Sequence, residues 1–237
     1  MTRDNGIIEL LGAGQAVFGM FAPEQSDEGG RAAAANDQAD FVFYSLEEGP
    51  WDIATMDSFI SSMADASGAG PAHAVTLRIP PIRDDRGAAR AHVAEGMASD
   101  VQGIVFPHVE SGRDVEDAVS SMGDRLWPTN PSGDVLSVVQ IEDKVGVARA
   151  REIVGAPGVG LVLPGQGDLR RAYEGDLEAV EAAVQTVLAA CKELRVPCGV
   201  TAGVDDITER LEQGFKMIIV TQPEALGVGL AASGRGG

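Results

Sequence analysis

Lysine is nearly missing from this chain. Only Lys144, Lys192 and Lys216 occur among 237 residues, so Schiff-base chemistry has few nucleophiles to draw on. Lys144 follows the end of an apolar run and is the one candidate; Lys192 lies in a helical pattern and Lys216 precedes a strand. Cysteine is scarcer still. Cys191 and Cys198 sit in no metal-binding spacing, which argues against a disulfide framework and for a reducing, cytoplasmic location. No apolar stretch reaches the roughly 18 residues that a membrane helix needs. The opening segment MTRDNGIIELLGAG has too short an apolar run for a signal peptide. Positive charge is also short: 18 Lys and Arg stand against 36 Asp and Glu, a formal net charge of −18. Such a polyanion repels nucleic acid phosphates and acidic lipid surfaces, so neither nucleic acid nor membrane is expected as a partner.

What is present is alternation. Hydrophobic residues make up 44% of the chain, enough for a sizeable core. They gather in eight short runs: AVFGMFA (16–22), DFVFYSL (40–46), HAVTLRI (73–79), QGIVFPH (102–108), VLSVVQI (135–141), VGLVLPG (159–165), VPCGVTA (196–202) and KMIIVTQ (216–222). Between them lie segments of helical periodicity such as DLEAVEAAVQTVLAACKEL. Runs apolar on both faces suit a parallel sheet covered by helices. Eight such units predict an α/β fold, a (β/α)8 TIM barrel forming one domain over 1–237. An N-terminal helix within 1–14 would close its bottom. The last helix would be short, and 232–237 a flexible Gly-rich tail. WPTNPSG (127–133) reads as a loop, too short for an interdomain linker.

Barrels place chemistry at the C-terminal ends of their strands, and the candidates follow from that. Glu47 and Glu48 follow the second run, Arg78 closes the third, and Pro107 and His108 end the fourth. Gln140 and Glu142 close the fifth, and Gly165, Gln166, Gly167 and Asp168 follow the sixth. Two acids on adjacent strand ends can share a hard cation such as Mg²⁺ or Mn²⁺ through oxygen ligands. They can equally be ordinary helix-start acids, with Asp168 as an N-cap. Arg78, in an apolar strand, requires an anion: a bound oxo acid or enolate, or a structural salt bridge to Glu47 or Glu48. The loop PGQGDL opens a helix and offers backbone N–H groups to a carboxylate, but lacks the Lys of a phosphate-binding P-loop. GAGQAVFG (12–19) places its glycines before a strand and is no dinucleotide fingerprint. His73 and His92 read as structural, and His108 as a supporting residue near the rim.

The stretch VVQIEDKVGVARAREIVGAPGVGLVLPGQGDL resembles the signature of the HpcH/HpaI class II pyruvate aldolases, which are related to the citrate lyase β-subunit. Gln140-Ile141-Glu142, then a strand, then Gly165-Gln166-Gly167-Asp168-Leu169 carry the likeness. DFVFYSLEEGP, TLRIP and QGIVFPHVES extend it across nearly the whole chain. The resemblance implies a metal-dependent carbon–carbon lyase acting on 2-oxo acid aldols, with a pyruvate-type enolate and an aldehyde as its small-molecule partners. It implies that Glu142 and Asp168 bind a divalent metal, Mg²⁺ or Mn²⁺. It assigns Arg78 to the enolate oxygen, and Gln140, Gly165, Gln166 and Gly167 to the substrate. It also implies a homo-oligomer, a trimer or hexamer. Two departures stand out. Glu48 occupies the position of the family histidine, with Ser45 where an Asp commonly stands, so Glu48 becomes the candidate base. RLWPTNPSGDV replaces a longer stretch with a Tyr-Pro-Pro and Arg-Gly pattern. A carboxylate can act as a base but does not reproduce the histidine relay, which points to a changed substrate or reaction. The alternatives are a related lyase acting on another enolate or a CoA thioester, and a barrel that has lost catalysis and serves as a binding or scaffold protein.

Overall fold

The structure is a computed structural model describing residues 5–68 and 70–236. Nine parallel strands form one sheet: β1 Val17–Phe21, β2 Phe41–Ser45, β3 Ala74–Arg78, β4 Gly103–Phe106, β5 Leu126–Trp127, β6 Val135–Ile141, β7 Leu161–Pro164, β8 Gly199–Ala202 and β9 Met217–Val220. Eight of them fall inside the eight apolar runs. The ninth, β5, is a two-residue strand paired to the start of β6, too short to leave a periodic trace in the sequence. The hydrogen-bonded path runs β5-β6-β4-β3-β2-β1-β9-β8, with β7 also on β6. The sheet is therefore a curled parallel half-barrel in a single domain. Between β7 and β8 there is no ladder but one isolated bridge, Val162 to Cys198, with the Val162 N–H donating to the Pro197 carbonyl at 3.0 Å.

Side chains on a strand alternate between its two faces, and here the alternation sorts the core in two. Phe18, Val42, Tyr44, Val75, Leu77, Ile104, Val139 and Ile141 point outward into the layer under the helices. Val17, Phe41, Phe43, Val105, Leu136, Val138, Leu161, Leu163, Met217 and Ile219 fill the concave side. Burying each such Phe or Ile contributes roughly 1.5–3 kcal/mol. Gly19 belongs to the concave face, where a Cβ would stand 2.3 Å from the Phe41 ring; its missing side chain makes room for that ring. The N-terminal helix Gly6–Gly12 sends Ile7 and Leu11 into the same concave cluster, so it plugs one end as its apolar pattern suggests.

A few of the acids cap helices. Asp52, Asp85, Asp143 and Asp176 each accept backbone N–H bonds at a helix start, as do Asn5, Ser26 and Ser111. Such anions complement the positive end of the helix dipole. No described helix is long and apolar enough to cross a membrane.

The tail carries an anchor. Asp40 receives two bonds of 2.7 Å from the Arg235 guanidinium and one of 2.8 Å from the Phe18 N–H, while Arg235 also donates to the Ala16 carbonyl at 2.8 Å. Within the segment expected to be flexible, Arg235 thus ties the C-terminus to the start of β1; Gly237 lies outside the described residues. Asp40→Ala is expected to cost about 1.5–3 kcal/mol of stability in chemical denaturation, because it strands a guanidinium and a backbone N–H together. Arg235→Ala should cost less, since Asp40 keeps its bond to Phe18.

Candidate metal centre and active cleft

Strand parity explains which rim residues turn inward. On β6, Leu136 and Val138 face the concave side, so Gln140 and Glu142 continue that row past the strand end. On β2 the same count carries Phe41 and Phe43 into Ser45 and Glu47 and sends Glu48 outward. On β3 it turns Arg78 inward, and on β7 it brings Gly165 inward after Leu161 and Leu163. Glu48 is accordingly exposed and does not line the cleft. Glu47, the residue beside it, is the one drawn into the site.

Glu142 is the centre of the arrangement. It is 1% exposed. Its Oε1 accepts the His108 backbone N–H at 2.8 Å and its Oε2 accepts from Gln140 Nε2 at 2.9 Å. His108 reaches this position with a φ of +53°, a left-handed conformation uncommon outside glycine. Gly165 presses on the other side of the carboxylate: a Cβ there would lie 2.2 Å from Glu142 Oε2. Burial pushes the Glu142 carboxyl up to about 7; the His108 N–H opposes this, and the charges of Asp168 and Glu47 add to it.

Arg78 lies beside this carboxylate cluster. Its Nε donates to Ser45 Oγ at 2.9 Å and its Nη1 pairs with Glu47 Oε2 at 2.8 Å. Its guanidinium covers the Phe43 ring at 5.4 Å, and Phe21 meets Phe43 edge-on with centroids 5.5 Å apart. The salt bridge to Glu47, one of the two partners the sequence offered, is therefore formed. Burial raises the Glu47 carboxyl above the usual range, against the lowering pull of Arg78 and His108. His108 bridges two acids, with Nε2 3.4 Å from Glu47 Oε1 and Nδ1 3.4 Å from Glu142 Oε1. Ligand atoms of Glu47, His108 and Glu142 all lie within 4.8 Å of one another. Glu47 and His108 were thus underweighted by the sequence reading; counting strand parity through Ser45 would have singled out Glu47.

Asp168 is on the short helix Gln166–Ala172, whose N-cap is Gly165 with no side-chain cap bond. Asp143, not Glu142, caps the helix that follows β6. Neither acid is therefore the N-cap of its helix, although Asp168 lies in the first turn of Gln166–Ala172. Asp168 instead pairs with Arg171 three residues on. Glu142, Asp168, Arg78, Gln140 and Gly165–Gly167 line one cavity of about 230 Å³, walled on its apolar side by Phe21, Phe43, Leu163 and Ile219. Gln166 also meets the Thr201 hydroxyl across the β7–β8 seam.

The donor set suits a hard divalent cation. Glu47 and Glu142 stand together with His108, and Asp168 lines the Glu142 cavity without joining that group of three; the two hydrogen bonds that Glu142 accepts come from neutral donors. Glu47 Oε1 and Gln140 Oε1 are buried without a hydrogen-bond partner, a costly state that an oxygen-seeking ion or its waters would relieve. Gly165→Ala is expected to destabilise the protein by about 1–3 kcal/mol in denaturant titration, because the added methyl must displace the Glu142 carboxylate. An unchanged midpoint would show that the carboxylate is not confined as described.

Comparison with known proteins agrees with this picture. No curated protein is matched by sequence. Among solved structures, an HpcH/HpaI aldolase/citrate lyase family protein from Burkholderia cenocepacia J2315 superposes with a TM-score of 0.77 at 21% identity, over 96% of each chain. Macrophomate synthase gives 0.74 at 20% identity, covering 97% of this chain and 86% of that one. The citrate lyase β subunit from M. tuberculosis, solved with oxaloacetate and magnesium, gives 0.65 at 19% identity, covering 92% and 97%. These likenesses establish the fold. The HpcH/HpaI aldolase/citrate lyase family model matches residues 18–222, the span that holds every residue of the cleft, and the chain belongs to that family.

Proposed function

We propose that this protein is a divalent-metal-dependent carbon–carbon lyase that makes or cleaves the aldol bond beside a 2-oxo acid, by way of a pyruvate-type enolate. The family consists of metal-dependent lyases. The observation that carries the reading to this chain is the Glu142 carboxylate, buried in the field of Glu47 and Asp168 and grouped with Glu47 and His108 at ligand distance. Glu142 and Asp168 would hold Mg²⁺ or Mn²⁺, the ion present with oxaloacetate in the citrate lyase β subunit being magnesium. When bound, the metal supplies a Lewis acid and a fixed positive charge.

The chain's own groups do the rest. The Arg78 guanidinium, fixed by Ser45, Glu47 and the Phe43 face, is preorganised to stabilise negative charge growing on the substrate oxygen. Gln140, through the carboxamide it lends to Glu142, and Gln166 with the Gly165 and Gly167 backbone orient the oxo acid's carboxylate. Phe21 and Phe43 exclude water from one side. A proton must move between substrate and protein, and the family motif places Glu48 in that role. Glu47 stands closer to the cluster, with a carboxyl already raised by burial, and is the stronger candidate. The same reading carries three further proposals: full closure of the curled sheet into a (β/α)8 barrel through the Val162–Cys198 contact, a homo-oligomer of three or six chains, and a cytoplasmic location. Its substrates would be a small 2-oxo acid and an aldehyde.

Three outcomes test the reading. Calorimetric titration with Mn²⁺ should show one site, weakened at least about tenfold by Glu142→Gln or Asp168→Asn, and chelation should abolish pyruvate release from a 4-hydroxy-2-oxo acid. Turnover indifferent to chelator would end the metal proposal. Arg78→Ala should lower kcat about 10²–10³-fold with little change in Mn²⁺ affinity. Glu47→Gln should lower kcat more than Glu48→Gln; the reverse order would return the base to Glu48.

A further inference from the structure

The cleft does not end at Asp168. Past Gln166, Gly167 and Thr201, which it shares as a wall, lies a second and more polar basin of about 460 Å³ with Arg170 on its edge. Two consecutive arginines therefore stand at the mouth of a protein whose net charge is −18. Arg171 lines the inner cavity. Its side chain is 74% exposed, and its one ion pair among the described residues is to Asp168. Arg78, by contrast, is held in place by Ser45 and Glu47. The only carboxylate engaging Arg171 is thus the one that a divalent cation would claim. An exposed pair within a single helix turn is weak and readily exchanged. A cation binding Asp168 would leave the Arg171 guanidinium without a counter-ion, on a long flexible stem at the point where the donor cavity opens into the basin.

We infer that Arg171 is a specificity-determining residue: it occupies Asp168 while the metal is absent and, once released, binds a second anionic group, of the carboxylate class, on the acceptor aldehyde. This rests on the reading of Asp168 as a metal ligand. The planar guanidinium matches a carboxylate through two parallel hydrogen bonds. The acceptor's carboxylate would stay at Arg171, over Gln166 and Thr201 and on the Arg170 side, because the far side of the basin carries Asp205 and Asp206. A neutral acceptor of the same size would gain nothing from this arrangement.

The experiment uses the full chain, wild type and Arg171→Gln, with Mn²⁺ as the metal probe. Calorimetry should show Mn²⁺ binding about two- to fivefold tighter in Arg171→Gln, because the competing cation is gone. In aldol addition of pyruvate, the ratio of kcat/KM for glyoxylate to that for glycolaldehyde, two-carbon aldehydes with and without a carboxylate, should fall about 10–100-fold. Arg171→Lys should recover part of that ratio. Mn²⁺ affinity that fails to tighten overturns the inference, as does a ratio within about twofold of wild type, or a metal-loaded wild type that turns over neither aldehyde. A wild-type protein that does not bind Mn²⁺ sinks the metal reading and this inference with it. Normal Mn²⁺ binding with an unaltered ratio sinks this inference alone.

Discussion

One carboxylate out of water governs the arrangement around it. Glu142 is surrounded by protein, accepts bonds from two neutral donors and lies in the field of Glu47 and Asp168. An isolated anion in such a place is expensive, and the neighbouring structure is shaped to hold it: a left-handed His108, a Gly165 with no side chain, and a Gln140 whose amide is committed to it. Each of the three touches that carboxylate or makes room for it.

The sheet supplies the precision. Strand rows that begin as core side chains at the bottom become polar at the top. Leu136 and Val138 lead to Gln140 and Glu142, and Phe41 and Phe43 lead to Ser45 and Glu47. Stability and chemistry thus occupy different heights of the same rows. The helices, four of them capped by aspartates, meet the outward-facing residues, apart from Gly6–Gly12, which packs into the concave cluster. Part of the chain's negative charge resides in those caps.

The eight principal strands were legible because buried parallel strands leave continuous apolar runs that helices do not. β5 was not, being two residues long and defined only by its pairing with β6. The break in the ladder between β7 and β8, where one isolated bridge stands in place of a paired strand, is likewise invisible in sequence. At the site, the motif gave Glu142, Asp168, Arg78 and Gln140, and all four line one cavity. It pointed to Glu48 because a motif aligns positions. Glu47 and His108 stood among the strand-end candidates, but only parity turns Glu47 inward, and what His108 offers Glu142 first is a backbone N–H, which no residue type advertises. The tether of the C-terminus through Arg235 and Asp40 spans almost the whole chain, a distance over which local patterns carry no information.

The strict sorting of alternate residues has a consequence for how such a protein can vary. Changing the identity of a residue alters one contact. Inserting or deleting one residue within β2 or β6 would exchange the two faces beyond that point, sending Glu47 or Glu142 toward the helices and an aliphatic neighbour into the cleft. Strand length is therefore a harder constraint on this lineage than composition, and its tolerance for change should be concentrated in the loops, where whole segments can be gained or lost without reversing any row.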